Sequence, residues 1–407
     1  MVSFDLLEER AICYDLEQFA PFDIHAGVLK TLGVDYPITE EVNKQLIAGS
    51  DWYKAIFKRK ALNPVKQYTE KLAEVTEELE IHNYTGLCPT NVLEISPSSG
   101  SCAAGCQYCL VTDGQHVQGI DVYTNYAEKL AHSLERNRDK AVFYYFSPKT
   151  EAFSETHLYN GLAHDILRTC IAHFEQYPDS KVRLFIVTKA GMKHLAIRHK
   201  GVSVFELLKE LSSKVQLNGS IGIMPSYLRD ILEPNVADIH ERLELLQKCR
   251  EIGVYAESVL CQPLFIPYLT EETITAYMKL LAGSGVKNIK PEFFTAEIRN
   301  LVLVAQYIHY YDPDKVGEFF YPYLPEANQK HIKQRSRLAP DKQVCIDKLN
   351  LIEKIAGAYG ISISLCSWVK RELGEVSEAI KRMDKLSASK GYRCLGYQTR
   401  LFDKGHE

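Results

Sequence analysis

Nowhere do the 407 residues run uncharged and apolar for long enough to cross a bilayer as a helix. The opening stretch MVSFDLLEER places charges where a secretory leader needs an apolar run, so a cytoplasmic protein without a signal peptide is expected. An excess of one charge sign is lacking too. Lys and Arg number 48 against 52 Asp and Glu, and the net charge of −4 argues against a protein that grips nucleic acid through a strong basic field. The basic runs at 58–60 and 331–337 read as solvated surface against that background. A disulfide framework is not expected, because the 11 cysteines are odd in number, mostly scattered, and kept reduced in the cytoplasm. A second close cysteine pair is also missing: the C-x2-C spacing occurs once, at Cys106 and Cys109.

Residues 1–90 read as a helical region, with amphipathic stretches at 8–19 and 65–81 and no convincing strand between them. From 91 onward short β-rich runs alternate with longer helical ones. Strands are expected at 91–95, 141–146, 182–188, 216–223, 255–262 and 288–293. Helices are expected at 126–137, 157–177, 204–212, 236–251, 270–282 and 296–309. Six βα units in succession imply an α/β fold with a parallel sheet and right-handed crossovers, a partial (β/α)6 barrel spanning 91–310. Functional residues then belong just after the C-terminal ends of the strands. Residues 311–407 form a C-terminal cap or extension, with an irregular tyrosine- and proline-rich start, a helix at 346–359 and a strand-like run at 361–366.

The first expected strand leads into SPSSGSCAAGCQYCLVTDG, a small-residue loop carrying Cys102, Cys106 and Cys109 as C-x3-C-x2-C. An iron–sulfur cubane needs several thiolates converging, and a loop rich in Gly, Ser and Ala can wrap one without steric conflict. Three thiolates leave one iron of a [4Fe–4S] cluster open to a substrate or cofactor, as an open position does on a catalytic zinc. A structural zinc site with His116 as fourth ligand and three inert buried thiols are the competing readings of the same residues.

The C-x3-C-x2-C spacing, with the aromatic Tyr108 just before its last cysteine, resembles the radical SAM superfamily. The resemblance implies that the open iron chelates S-adenosylmethionine and that an electron from the reduced cluster cleaves it to a 5′-deoxyadenosyl radical, which removes a hydrogen atom from the substrate. A weaker likeness, running in order from about 91 to about 366, is to the spore photoproduct lyase-like branch. It rests on VYTNYAEKL after the loop, FSPKTEAFSETH at the second strand end, LFIVTKAGMKHL at the third and GSIGIM at the fourth. It implies that Tyr108, Thr150, Glu151, Lys189 and Ser220 contact the cofactor, with Lys189 meeting its carboxylate and Glu151 facing its ribose or amino group. The branch carries a hydrogen-donating cysteine on the second-strand turn, where this chain reads Ser147-Pro148-Lys149-Thr150. A different substrate from a nucleic-acid lesion is therefore expected: a small polar sugar-, aminoglycoside- or nucleoside-type metabolite undergoing dehydration, epimerisation or bond cleavage.

Two residues on later strands are candidates for the substrate's chemistry. Cys261, in ESVLCQPLF, is placed to offer a hydrogen atom, and Glu292, in IKPEFF, to bind a polar group or move a proton. A flavodoxin or ferredoxin is the expected reductant. The remaining function classes are a nucleic-acid lesion lyase, with DNA as partner, and a non-enzymatic iron–sulfur or zinc protein. Changing any one of Cys102, Cys106 or Cys109 to Ala is expected to abolish cleavage of S-adenosylmethionine by the reduced, anaerobically reconstituted protein rather than merely weaken it; release of 5′-deoxyadenosine is the measurement.

Overall fold

The computed structural model describes residues 69–79, 91–109, 119–295, 298–323, 338–374, 378–390 and 392. The strands in chain order are β1 (Thr69–Ala73), β2 (Asn91–Ile95), β3 (Ser98–Gly100), β4 (Gly119–Tyr123), β5 (Val142–Phe146), β6 (Arg183–Thr188), β7 (Val215–Ser220), β8 (Ser258–Leu264), β9 (Asn288–Phe293) and β10 (Ser362–Ile363). The principal helices are α1 (Tyr126–Asn137), α2 (Leu162–Gln176), α3 (Val204–Leu211), α4 (Ser226–Leu232), α5 (Ile239–Glu251), α6 (Glu271–Gly283), α7 (Ile298–Tyr311), α8 (Lys342–Ala358) and α9 (Glu378–Ser389).

Seven of the strands form one sheet in the order β10-β9-β8-β7-β6-β5-β2, every pairing parallel. The six strands expected from the alternation are all present, and Ser362–Ile363 adds a seventh beside β9. Each strand sends alternate side chains to opposite faces. Leu93, Tyr144, Leu184, Leu217, Val259 and Ile289 point to the helix layer and share one core with Leu130, Leu167, Leu208, Leu246, Met278 and Ile352. Each such side chain contributes about 1.5–3 kcal/mol by leaving water. Helix ends are set locally: Ser203 accepts from the Glu206 N–H while the Glu206 carboxylate takes the Ser203 N–H, a capping box at the start of α3.

The opposite face is aromatic on β5 and β6 and polar on β7 and β9. Phe143, Tyr145, Phe185 and Val187 pack together there, followed by Gln216, Asn218, Ser220, Lys290 and Glu292. That face is concave. Lys290 Nζ lies 5.0 Å from the centre of the Phe185 ring, although β9 and β6 are three places apart in the sheet, about 14 Å along it.

One segment differs from its sequence reading. Residues 65–81 carry Glu and Lys at helical spacing, yet Thr69–Ala73 within them is a strand. It pairs in parallel with β4, and β4 pairs antiparallel with β3, so a small second sheet stands just before the cysteine loop. Pairing with a strand some 50 residues away overrides a local helical preference that is worth only tenths of a kcal/mol per residue. The stretch at 8–19, the basic run at 331–337 and His116 lie outside the described residues. The aromatic stretch 307–323 is partly core: Phe319 and Tyr323 pack on Phe294, and Phe319 on Phe265, at the ends of β9 and β8.

Asn125 fastens the small sheet to α1. Its side-chain oxygen accepts from Val75 N–H at 2.8 Å and its amide donates to the Val75 carbonyl at 3.0 Å. Asn125→Ala leaves both backbone groups to water. The expected outcome is a loss of about 1–2 kcal/mol and faster amide exchange at Val75, read by hydrogen exchange.

Candidate active site

The three cysteines stand on two successive tight turns. Gly105 N–H donates to the Cys102 carbonyl at 3.1 Å, and Cys109 N–H donates to the Cys106 carbonyl at 3.0 Å, so each turn returns the chain to the same side. Cys102 and Cys106 pack with Ala104, and Cys109 and Tyr108 lie against them. Gly100 admits the chain to this loop. Its φ of 89° is left-handed, and a Cβ there would come within 2.4 Å of the Gly119 carbonyl oxygen.

Four anchors from distant parts of the chain hold the loop. Gln107 N–H donates to the Leu232 carbonyl at 2.8 Å, and Asn235 donates to the Ala103 carbonyl at 3.1 Å. His157 bridges Ser98 Oγ at 2.7 Å and the Ala152 carbonyl at 3.1 Å; burial holds this imidazole neutral, with its pKa down to about 4. The fourth anchor is Glu151, whose N–H points at Cys102 Sγ at 3.3 Å. Its carboxylate accepts from Phe153 N–H at 3.2 Å, Lys189 N–H at 2.8 Å and the Thr188 hydroxyl. That carboxylate is taken up by the protein's own donors and ties the second and third strand ends together. The resemblance assigned it to a cofactor's ribose or amino group; here three of the protein's own donors hold it.

Lys189 and Ser220 meet at the ends of β6 and β7. Lys189 Nζ donates to Ser220 Oγ at 2.9 Å and sits 5.9 Å from the Tyr108 ring. Burial works against its charge, but Cys106 and Glu233 nearby hold its pKa above the usual value. Tyr108 donates its hydroxyl to Glu233 at 2.5 Å, and Glu233 is ion-paired with Arg242 at 2.6 Å, both charged groups being wholly buried. Arg242 also donates to the Ser220 carbonyl at 2.8 Å and the Ala237 carbonyl at 2.7 Å. Burial opposes the Glu233 charge, yet Arg242, Lys189 and Tyr108 together hold its carboxyl below the ordinary range. Neither Glu233 nor Arg242 stands out in the sequence. Arg242 sits in a helical, charge-rich stretch and Glu233 just after a short helix, and only the fold reveals that their side chains turn inward beneath the cysteine loop. Thr150 is half-buried next to Glu151, on the turn that follows the left-handed Ser147.

Burial raises the Cys102 thiol to about 11 and pushes Cys106 up as well, with Lys189 pulling the other way on Cys106. Metal coordination removes such protons outright. Among the described residues no three His, Cys, Asp or Glu side chains converge tightly enough to share a single metal ion. A cubane takes each thiolate on a different iron, so its ligands stand farther apart than those of one zinc ion. Three thiols on one loop, with a backbone N–H aimed at the first sulfur, fit that wider donor set.

The two substrate candidates part company. Cys261 alternates with the inward-facing Leu260 and points into the helix-side core, where it meets the Tyr277 hydroxyl at 3.1 Å and burial lifts its thiol to about 12. The strand's two-residue period turns it away from the face that holds Lys189 and Ser220, which corrects its reading as a hydrogen-atom donor. Glu292 lies on the concave face, two residues beyond Lys290, and no described residue hydrogen-bonds its carboxyl group. Cys345 and Cys366 belong to the helix-side core or its border, and Cys394 lies outside the described residues.

No protein-family model matches the chain. An uncharacterised protein, ORF301, of Acidianus two-tailed virus is 32% identical over 120 residues, 28% of this chain and 39% of that protein. Among solved structures, a radical S-adenosylmethionine methyltransferase, TsrM, from Kitasatospora setae, determined with tryptophan and an aza analogue of the cofactor, is similar at 11% identity and a TM-score of 0.45. The match covers 78% of this chain and 62% of that one. The chain thus spans less than two thirds of each, and a likeness of that depth decides neither family nor chemistry.

Burial raises the Glu292 carboxyl to about 7 from an ordinary 4.5, with Lys290 opposing. The folded protein therefore keeps a proton that the unfolded chain has released, and stability falls as pH rises from about 4.5 to about 7, by at most about 3 kcal/mol. Glu292→Gln is expected to flatten this part of the pH–Tm profile and to raise Tm above pH 7, as measured on protein without substrate.

Proposed function

We propose that the chain is a radical S-adenosylmethionine enzyme that acts on a small polar molecule held on the concave face of the sheet. The observation that carries this reading is the C-x3-C-x2-C loop of Cys102, Cys106 and Cys109, pinned at the C-terminal end of β2 with Lys189 and Ser220 on nearby strand ends. Strand ends of this kind are where α/β folds gather catalytic groups.

When bound, a reduced [4Fe–4S] cluster would supply the electron that cleaves S-adenosylmethionine into methionine and the 5′-deoxyadenosyl radical. The protein's residues prepare for this by position. Lys189 offers an ammonium group to the cofactor's carboxylate, a charge-assisted contact that its bond to Ser220 orients beforehand. Thr150 offers a hydroxyl from the next turn, and the Tyr108 ring walls the loop side. Glu151 acts at one remove, by fixing the Lys189 backbone and directing an N–H at Cys102.

Below this level the concave face suits a small polar substrate. Asn218 is fully buried with its side-chain NH2 unpartnered, Lys290 is 4% exposed, and Glu292 is half-buried with a carboxyl poised near neutrality. Phe143, Tyr145 and Phe185 line the same face with aromatic surface on β5 and β6. Glu292 is placed to bind a polar group or to move a proton once hydrogen abstraction has made a neighbouring bond acidic. A sugar-, aminoglycoside- or nucleoside-type metabolite matches this lining, and a flavodoxin or ferredoxin matches the need for one electron at a time.

The test is anaerobic reconstitution with iron and sulfide, followed by dithionite and S-adenosylmethionine. Expected are a broad absorbance near about 400 nm and release of 5′-deoxyadenosine. A protein that acquires the absorbance but yields no 5′-deoxyadenosine would falsify the enzymatic reading.

A further inference from the structure

Buried charge is costly, and a protein that keeps it in quantity generally uses it. Lys189, Arg229, Glu233 and Arg242 lie together under the cysteine loop, with the last three at 4% exposure or less. Glu151 stands at the edge of the group, within electrostatic reach of Lys189 and Cys102. Three cations face the carboxylates of Glu233 and Glu151, with Asp230 a third carboxylate beside Arg229 and Arg242.

A cubane held by three thiolates is anionic, and one added electron makes it more so. In a dry site that added charge interacts strongly with fixed neighbours. Lys189 and Glu233 are both within electrostatic reach of Cys106, and they carry opposite signs. Tyr108, on the loop itself, is hydrogen-bonded to Glu233 at 2.5 Å, and Arg242 clamps Glu233 at 2.6 Å while holding the Ser220 carbonyl at 2.8 Å. The group is therefore fixed relative to the sulfurs.

We infer that Lys189, Glu233 and Arg242 are the electrostatic counterpart of the cysteine loop, and that they set the potential at which an iron–sulfur cluster on Cys102, Cys106 and Cys109 accepts an electron. The inference rests on the function proposed above. The step itself is simple: one electron from an external donor enters the cluster, and no bond forms or breaks. Lys189 favours the reduced state and Glu233 disfavours it. Arg242 keeps Glu233 charged and still. All three are positioning residues with respect to the electron.

The two charges of opposite sign give a test that a scaffolding role cannot mimic. Wild type, Lys189→Met and Glu233→Gln are reconstituted anaerobically, assayed for iron, and titrated with dithionite under EPR without S-adenosylmethionine. Expected is a midpoint potential more negative than wild type for Lys189→Met and more positive for Glu233→Gln, at equal iron content. Gln at 233 can still accept the Tyr108 hydroxyl. Lys189→Met leaves the buried Glu233–Arg242 pair intact, so its measurement stands even if the loss of Glu233 beside buried Arg242 does not leave a stable protein. Unchanged midpoints, shifts of the same sign, or iron loss without a shift in Lys189→Met overturn the inference and leave the proposed function standing. Wild-type protein that takes up no iron overturns both.

Discussion

Glu151 does two things with two parts of itself, and the site depends on both. Its N–H is directed at the sulfur of Cys102, while its carboxylate gathers donors from Phe153, Thr188 and Lys189. The cysteine loop follows β2, Glu151 follows β5 and Lys189 follows β6, so one residue joins three consecutive strand ends of the sheet. A carboxylate that accepts several hydrogen bonds in a buried place is hard to replace, because each donor left behind would lose its partner away from water. Lys189 in turn reaches Ser220 at the end of β7, which extends the chain of contacts to a fourth strand.

A second layer of polar contacts lies beneath the first. The pair Glu233–Arg242 costs desolvation that its attraction alone does not clearly offset. Its geometry explains where the return comes from. Glu233 accepts from the hydroxyl of Tyr108, Arg242 donates to the carbonyls of Ser220 and Ala237, and α5 and the end of α4 are thereby tied to the loop. The cysteine loop is thus held from above by turns and from below by a buried ion pair. An electron arriving at such a site would find its surroundings already oriented, with little reorganisation left to do.

The concave face gives the sheet a division of labour that follows from the two-residue period of a strand. Cys261 and Glu292 look alike in the sequence, both being polar groups near strand ends. One residue of phase separates them. Cys261 falls in step with Val259 and faces the helices, whereas Glu292 falls in step with Lys290 and faces the interior. Reading that phase from sequence requires knowing which neighbours are buried on which side, and ESVLCQPLF offers apolar residues on both.

The sequence by itself determined most of the local elements and the placing of three thiols on one loop. Six alternating strand and helix patterns are strong signals because each strand is short, apolar and bounded by a helical period, and the C-x3-C-x2-C spacing is a local fact about thiols on a small-residue loop. Tertiary structure alone decided the rest. Thr69–Ala73 became a strand because β4 was there to pair with it, against its own composition. Ser362–Ile363 joined the sheet because β9 offered an open edge. Glu233 and Arg242 came together because the residue after α4 and a side chain of α5 both turn under the loop, and Glu151 became a tie because its donors arrive from distant strands. Charge and hydrogen bonding act over a few ångströms of space, and the residues that supply them here lie tens of positions apart in the chain.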